Sequence, residues 1–117
     1  MLPKARMLLV TVGAAVALVV ATPRTPSADA AKSAEIQIAN FHYTPPTLVV
    51  APGTTVTWKN ADDSPHSVRE KSGKFKSAAL DTDDTFSQTF TAPGDYDYIC
   101  SIHPYMRGKI VVKSGGS

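Results

Sequence analysis

Cysteine is almost missing from this chain: its 117 residues include only Cys100. One thiol cannot close a disulfide within its own chain. What remains is an intermolecular bridge, an inert buried thiol, or a thiol bound to something else. Histidine is scarce too, at His42, His66 and His103. A long 3.6-residue hydrophobic period is absent, which argues against extended amphipathic helices. The longest apolar run, Met7 to Ala21, is shorter than the roughly 20 residues that span a bilayer. Internal repeats are absent as well.

That run follows Lys4 and Arg6, and the pair has the charged n-region and apolar h-region of a secretory signal. Ala28-Asp29-Ala30 supplies small residues where a signal peptidase reads, so cleavage is expected after Ala30. Cleavage after Ala21 and an uncleaved N-terminal anchor are the alternatives. The expected division is a leader at 1–30, one domain at 31–113 and a flexible tail at 114–117. Taking the leader from 117 residues leaves 87, a modest core for a domain without a disulfide.

Charge carries little information once the leader is set aside. The chain has 12 basic and 10 acidic residues; Lys4, Arg6, Arg24 and Asp29 belong to the leader, leaving 9 against 9. This balance gives no sign of nucleic-acid binding, and no membrane contact is expected after cleavage. "REKSGKFK" (69–76) is basic and "DTDD" (81–84) acidic; both read as solvated loops or docking surface.

From Ala31 onward the chain reads as all-β. "AEIQIANFHY" alternates, with Phe41 and Tyr43 expected on one face and His42 on the other, toward solvent. "TLVVAPGTTVTWKN" gives two short strands around the Pro52-Gly53 turn, with Val56 and Trp58 on a shared face. "HSVRE", "TFSQTF", "YDYIC" and "GKIVVK" complete the set. Ser77 to Leu80 is the one stretch that could hold a helical turn. Short strands separated by Pro/Gly turns read as a sandwich or barrel.

The residues with chemistry gather in "YDYICSIHPYMRGKIVV", where Cys100, His103 and Met106 stand three apart. A thiolate and a thioether are soft donors and imidazole is borderline, a set that suits copper better than magnesium or calcium. Two His and one Cys with a weak axial Met form a blue-copper electron-transfer site. The motif lacks one His, and His66 in "DDSPHSV" is the best candidate. Two other readings stand beside this one. The three could be a buried Cys, a surface His and a core-filling Met. Or Cys100 could be a nucleophile with His103 or His66 as base, which leaves Met106 without a role.

The motif resembles the copper loop of the cupredoxins, most like the amicyanin branch in its two-residue gaps and the proline after the histidine. Upstream, "FHYTPPTLVVAPGTTVTWKNADDSPHSV" resembles the same family, so the likeness runs from Glu35 to Lys113. It implies a Greek-key β-sandwich holding one type 1 copper ion on His66, Cys100, His103 and Met106. It also implies a monomeric, exported (periplasmic) electron carrier rather than an enzyme, with transient redox partners meeting Ile102, Pro104 and Tyr105 around His103. Copper buffering or delivery with the same ligands is the alternative. Multicopper oxidases and nitrite-reducing enzymes need more histidines than three. The chain departs from the family twice. Ser67 stands where relatives carry an Asn that ties the two ligand loops, and is expected to tie them only partly. Ile102 stands where the amicyanin branch has proline.

Overall fold

The computed structural model describes residues 32–115, together with Gly13, Ala15 and Ala17. The leader expected at 1–30 lies, but for those three positions, outside the described residues. So do the last two residues of the tail.

Eight strands are formed: β1 (Ser33–Ala39), β2 (His42–Thr44), β3 (Thr47–Val50), β4 (Thr54–Asn60), β5 (Arg69–Glu70), β6 (Thr85–Phe90), β7 (Gly94–Ile99) and β8 (Arg107–Val112). They make two four-stranded sheets, ordered β2-β1-β4-β6 and β3-β8-β7-β5. Each sheet is mixed: β1 runs parallel to β4 and β3 parallel to β8, while the other pairs are antiparallel. This is the expected β-sandwich, and no α-helix occurs among the described residues.

The period of two along each strand decides what fills the space between the sheets. Ile36 and Ile38 from β1, and Val56 and Trp58 from β4, face Tyr98 from β7 and Ile110 and Val112 from β8. Trp58 meets Tyr98 edge-on at 5.4 Å, and Tyr98 meets Tyr43 at 4.7 Å. Large rings need a small partner across the ladder, and the register supplies Gly108 opposite Tyr98. A Cβ at Gly108 would run into the Tyr98 ring. The Pro52-Gly53 turn forms as read, with Gly53 at φ +90 and its amide donating to the Phe90 carbonyl at 2.6 Å.

Three local readings need correction. "AEIQIANFHY" is not one alternating strand: Asn40 and Phe41 both have positive φ, 52° and 59°, and fold β1 back onto β2 as a two-residue hairpin. Phe41 therefore leaves the face that Tyr43 occupies and is 37% exposed, while Tyr43 is buried and His42 points outward as expected. Ser77 to Leu80 holds no helical turn. Its backbone is taken up by the 66–68 segment instead: Ser77 N donates to Val68 O, and His66 and Leu80 exchange two bonds. Nor is 69–76 merely a solvated loop. Phe75 enters the core, and the buried Glu70 carboxylate accepts the Ser72 and Lys74 amides.

Candidate metal centre

The site forms at one end of the sandwich, where two segments leave the sheets. Cys100 is the first residue beyond β7, and a tight loop returns the chain to β8. That loop is closed by Met106 N donating to His103 O at 2.9 Å and Cys100 N donating to Met106 O at 3.2 Å. Pro104 lies inside it, so helical continuation is blocked. His66 comes from the irregular segment before β5, anchored by its bridge to Leu80.

These segments bring together three of the four expected ligands. One ligand atom from each of His66, Cys100 and His103 lies within 4.8 Å of the others. Cys100 Sγ is 4.0 Å from His66 Nδ1 and 3.9 Å from His103 Nδ1. Such separations are long for hydrogen bonds. A soft sulfur with an imidazole nitrogen on either side, both too far for a direct bond to it, is a donor set that suits a shared soft or borderline metal ion. His66 and Cys100 are fully buried and His103 only partly, so the loop histidine is the one that reaches the surface. Met106 is buried beneath the same loop. Ile102, Pro104 and Tyr105, the residues on either side of His103 in the loop, are exposed, Ile102 and Tyr105 at 44% and 66%, and the Tyr105 ring lies 6.1 Å from that of His103.

Ser67 ties the two ligand segments more fully than its small side chain suggests. Its amide donates to Cys100 Sγ at 3.3 Å. Its hydroxyl accepts the Ser101 amide at 2.8 Å and donates to Ser101 Oγ at 3.0 Å. The carbonyl of Ser67 accepts the Tyr43 hydroxyl at 2.6 Å. Burial, with Cys100 and Tyr98 nearby, pushes the Tyr43 phenol well above its ordinary range, so it stays protonated as that donor.

Two residues of the site escaped the sequence reading. Phe41 sets its ring edge-on against both imidazoles, with centroids 5.0 Å from His66 and 5.0 Å from His103. Asp62 accepts the Asn40 and Phe41 amides at 2.7 and 2.9 Å and pairs with His66 Nε2 at 2.8 Å. Burial alone would raise the Asp62 pKa. The Phe41 and Asn40 amides and the His66 ring outweigh it and hold the carboxyl below its usual range. The four-residue spacing from Asp62 to His66 was the only clue in the sequence, and a polar loop explains it equally well.

Soft and borderline donors converging at the end of a two-sheet sandwich define a class: small blue copper electron-transfer proteins. Comparison with known proteins agrees. The chain belongs to the cupredoxin family, its residues 9–112 matching the cupredoxin-like domain. It is 41% identical over 88 residues to amicyanin-alpha of Methylorubrum extorquens, covering 71% of this chain and 74% of that one. It is 43% identical over 83 residues to amicyanin of Paracoccus denitrificans, covering 67% of this chain and 63% of the relative. Among solved structures, the Cu(I) form of a methionine-to-alanine amicyanin variant superposes with a TM-score of 0.67 at 39% identity. That match covers 70% of this chain and 83% of the other. The cofactor such a protein holds is copper.

Proposed function

We propose that this chain is an exported single-electron carrier whose copper is held by His66, Cys100, His103 and Met106. The observation that carries the assignment is the convergence of Cys100 Sγ with both Nδ1 atoms, at 4.0 and 3.9 Å, with Cys100 and His66 buried. Copper, when bound, would supply a one-electron couple whose potential is tuned by the thioether of Met106 and the surroundings of the thiolate.

The protein's own residues do the rest. Strands on both sides hold the ligand segments still, so oxidation and reduction need little movement. The Ser67 amide points at the Cys100 sulfur and stabilises negative charge there. Phe41 packs its ring against both imidazoles and narrows their contact with water. His103, alone of the three converging ligands in reaching the surface, is the electron exit, and Ile102, Pro104, Tyr105 and Phe41 form an apolar collar around it. A small apolar patch of this kind suits a brief encounter with a redox partner. Export is supported by the leader-like 1–30 segment. No helix among the described residues is long and apolar enough to cross a membrane. Nothing in the site among the described residues favours copper buffering, and a Cys–His pair doing bond-making chemistry would leave the second imidazole on the same sulfur, His103 Nδ1 at 3.9 Å, without a role.

The test is direct. Cu(II) added to the purified domain should give an intense blue thiolate band that Cys100→Ser abolishes. Colourless binding in the unaltered protein would remove the electron-transfer assignment.

A further inference from the structure

Asp62 carries more hydrogen bonds than a loop aspartate needs. Its carboxylate accepts the Asn40 amide on Oδ1, and both the Phe41 amide and His66 Nε2 meet Oδ2. Its own amide donates to Asn60 Oδ1 at 2.9 Å, and its carbonyl accepts the Thr82 hydroxyl at 2.7 Å. The side chain is 14% exposed, and its partner His66 is fully buried. One small residue thus joins the β1–β2 hairpin, the segment before His66 and the turn before β6.

We propose that Asp62 is the positioning residue of the metal centre, fixing the tautomer of His66 and pinning Phe41 over both imidazoles. This rests on His66 serving as a ligand. An ionised carboxylate can only accept, so the hydrogen of the neutral ring must sit on Nε2. That leaves the Nδ1 lone pair facing Cys100, where the metal would bind. A hydrogen-bonded carboxylate behind a ligating imidazole also makes the ring a stronger donor. Its negative charge favours the more highly charged state of the metal, so it holds the potential down.

The second half of the role concerns the backbone. Phe41 sits at φ 59°, a left-handed conformation that is unfavourable for a residue with a Cβ. The two amide bonds to Asp62 offset that cost. They hold the turn in the one shape that places the Phe41 ring 5.0 Å from each histidine. A merely structural aspartate would support the hairpin without setting which ring nitrogen is free.

The test has two arms, applied to Asp62→Ala, Asp62→Asn and Asp62→Glu. In the metal-free protein at about pH 8, where an ordinary histidine is neutral, ring nitrogen NMR reads the His66 tautomer. The unaltered protein should show the Nε2–H form. Asp62→Ala should lower the ratio of Nε2–H to Nδ1–H at least tenfold, and Asp62→Glu should retain the native form. In the copper-loaded protein, Asp62→Ala and Asp62→Asn should both raise the reduction potential. A tenfold loss of Cu(II) over Cu(I) preference corresponds to about 59 mV for one electron. Should Asp62→Ala fail to fold, Asp62→Asn, of equal size and without the charge, serves the potential arm, and the Nε2–H form of the unaltered protein decides the tautomer arm. An Nδ1–H ring in the unaltered protein, an unchanged tautomer, or an unchanged potential overturns the proposal. Absence of the blue band from the unaltered protein would instead refute the copper assignment, and the metal-free arm would still decide the role of Asp62.

Discussion

Removing one hydroxyl, in Ser67→Ala, should loosen the metal centre without destroying it. The hydroxyl makes the only side-chain hydrogen bonds found between the two ligand segments among the described residues, apart from contacts to Cys100 itself. It accepts the Ser101 amide at 2.8 Å and donates to Ser101 Oγ at 3.0 Å. A neutral hydrogen bond contributes about 0.5–1.5 kcal/mol net, and an amide stripped of its partner costs about 1–3 kcal/mol. The exchange of serine for alanine should therefore cost about 2 kcal/mol. In a domain of this size that lowers the melting temperature by about 8–16 °C. If the loop must open for the metal to leave, the same 2 kcal/mol speeds copper release about 30-fold, at tenfold per 1.4 kcal/mol. The Ser67 amide still reaches the Cys100 sulfur, so the blue colour should persist. Thermal unfolding and transfer of copper to a chelator, followed by loss of the band, measure both effects. Equal melting points and equal release rates would show that the hydroxyl link carries no energy, and the argument would fall.

Met106→Gln should keep the thiolate band but lower the potential in voltammetry; an unchanged potential would mean Met106 is not the axial ligand. Gly108→Ala places a methyl group inside the Tyr98 ring, which Tyr43 and Trp58 prevent from swinging away. Overpacking costs about 1–3 kcal/mol, and this boxed-in ring belongs at the upper end; denaturant unfolding would measure it. Burial would raise the Glu70 pKa, but the Ser72 hydroxyl and the Lys74 and Ser72 amides hold it below the ordinary 4.5. A depressed folded-state value stabilises the protein above the ordinary pKa, and that contribution is lost as pH falls through the folded value. Glu70→Gln should then be less stable near neutrality, by about 2 kcal/mol if the charge-assisted bonds behave typically. The gap should close in acid. A gap that persists at all pH values would show that shape, not charge, makes Glu70 useful.

Much of the fold was legible because strands write their burial into alternate residues. Ile36 and Ile38, Val56 and Trp58, and the run into Cys100 each announce a face, and each face is found buried. The misread places are those where backbone shape, not side-chain character, decides. Asn40-Phe41 turns the chain although it lacks the glycine usually found in so tight a hairpin. Asp62, distant in sequence, provides the two acceptors that make the turn tolerable. Ser77 to Leu80 looked helical only because its true bonding partner, the segment from His66 to Val68, is non-local.

The sequence by itself determined the chemistry of this protein. A lone cysteine, a histidine and a methionine in one short loop are soft donors wherever they are folded, and that property belongs to the atoms. It also determined an all-β fold of short strands, sandwich or barrel, because alternation and turn residues act locally. Only the tertiary structure decided how the donors meet. His66 and Cys100 are 34 positions apart, and no local rule sets the 4.0 Å between Nδ1 and Sγ. It also decided what surrounds them: Phe41 against both rings, Ser67 bridging the loops, and Asp62 behind His66. Those contacts arise where three separate turns converge at the end of the sandwich, and convergence is a property of packing that a linear pattern does not contain.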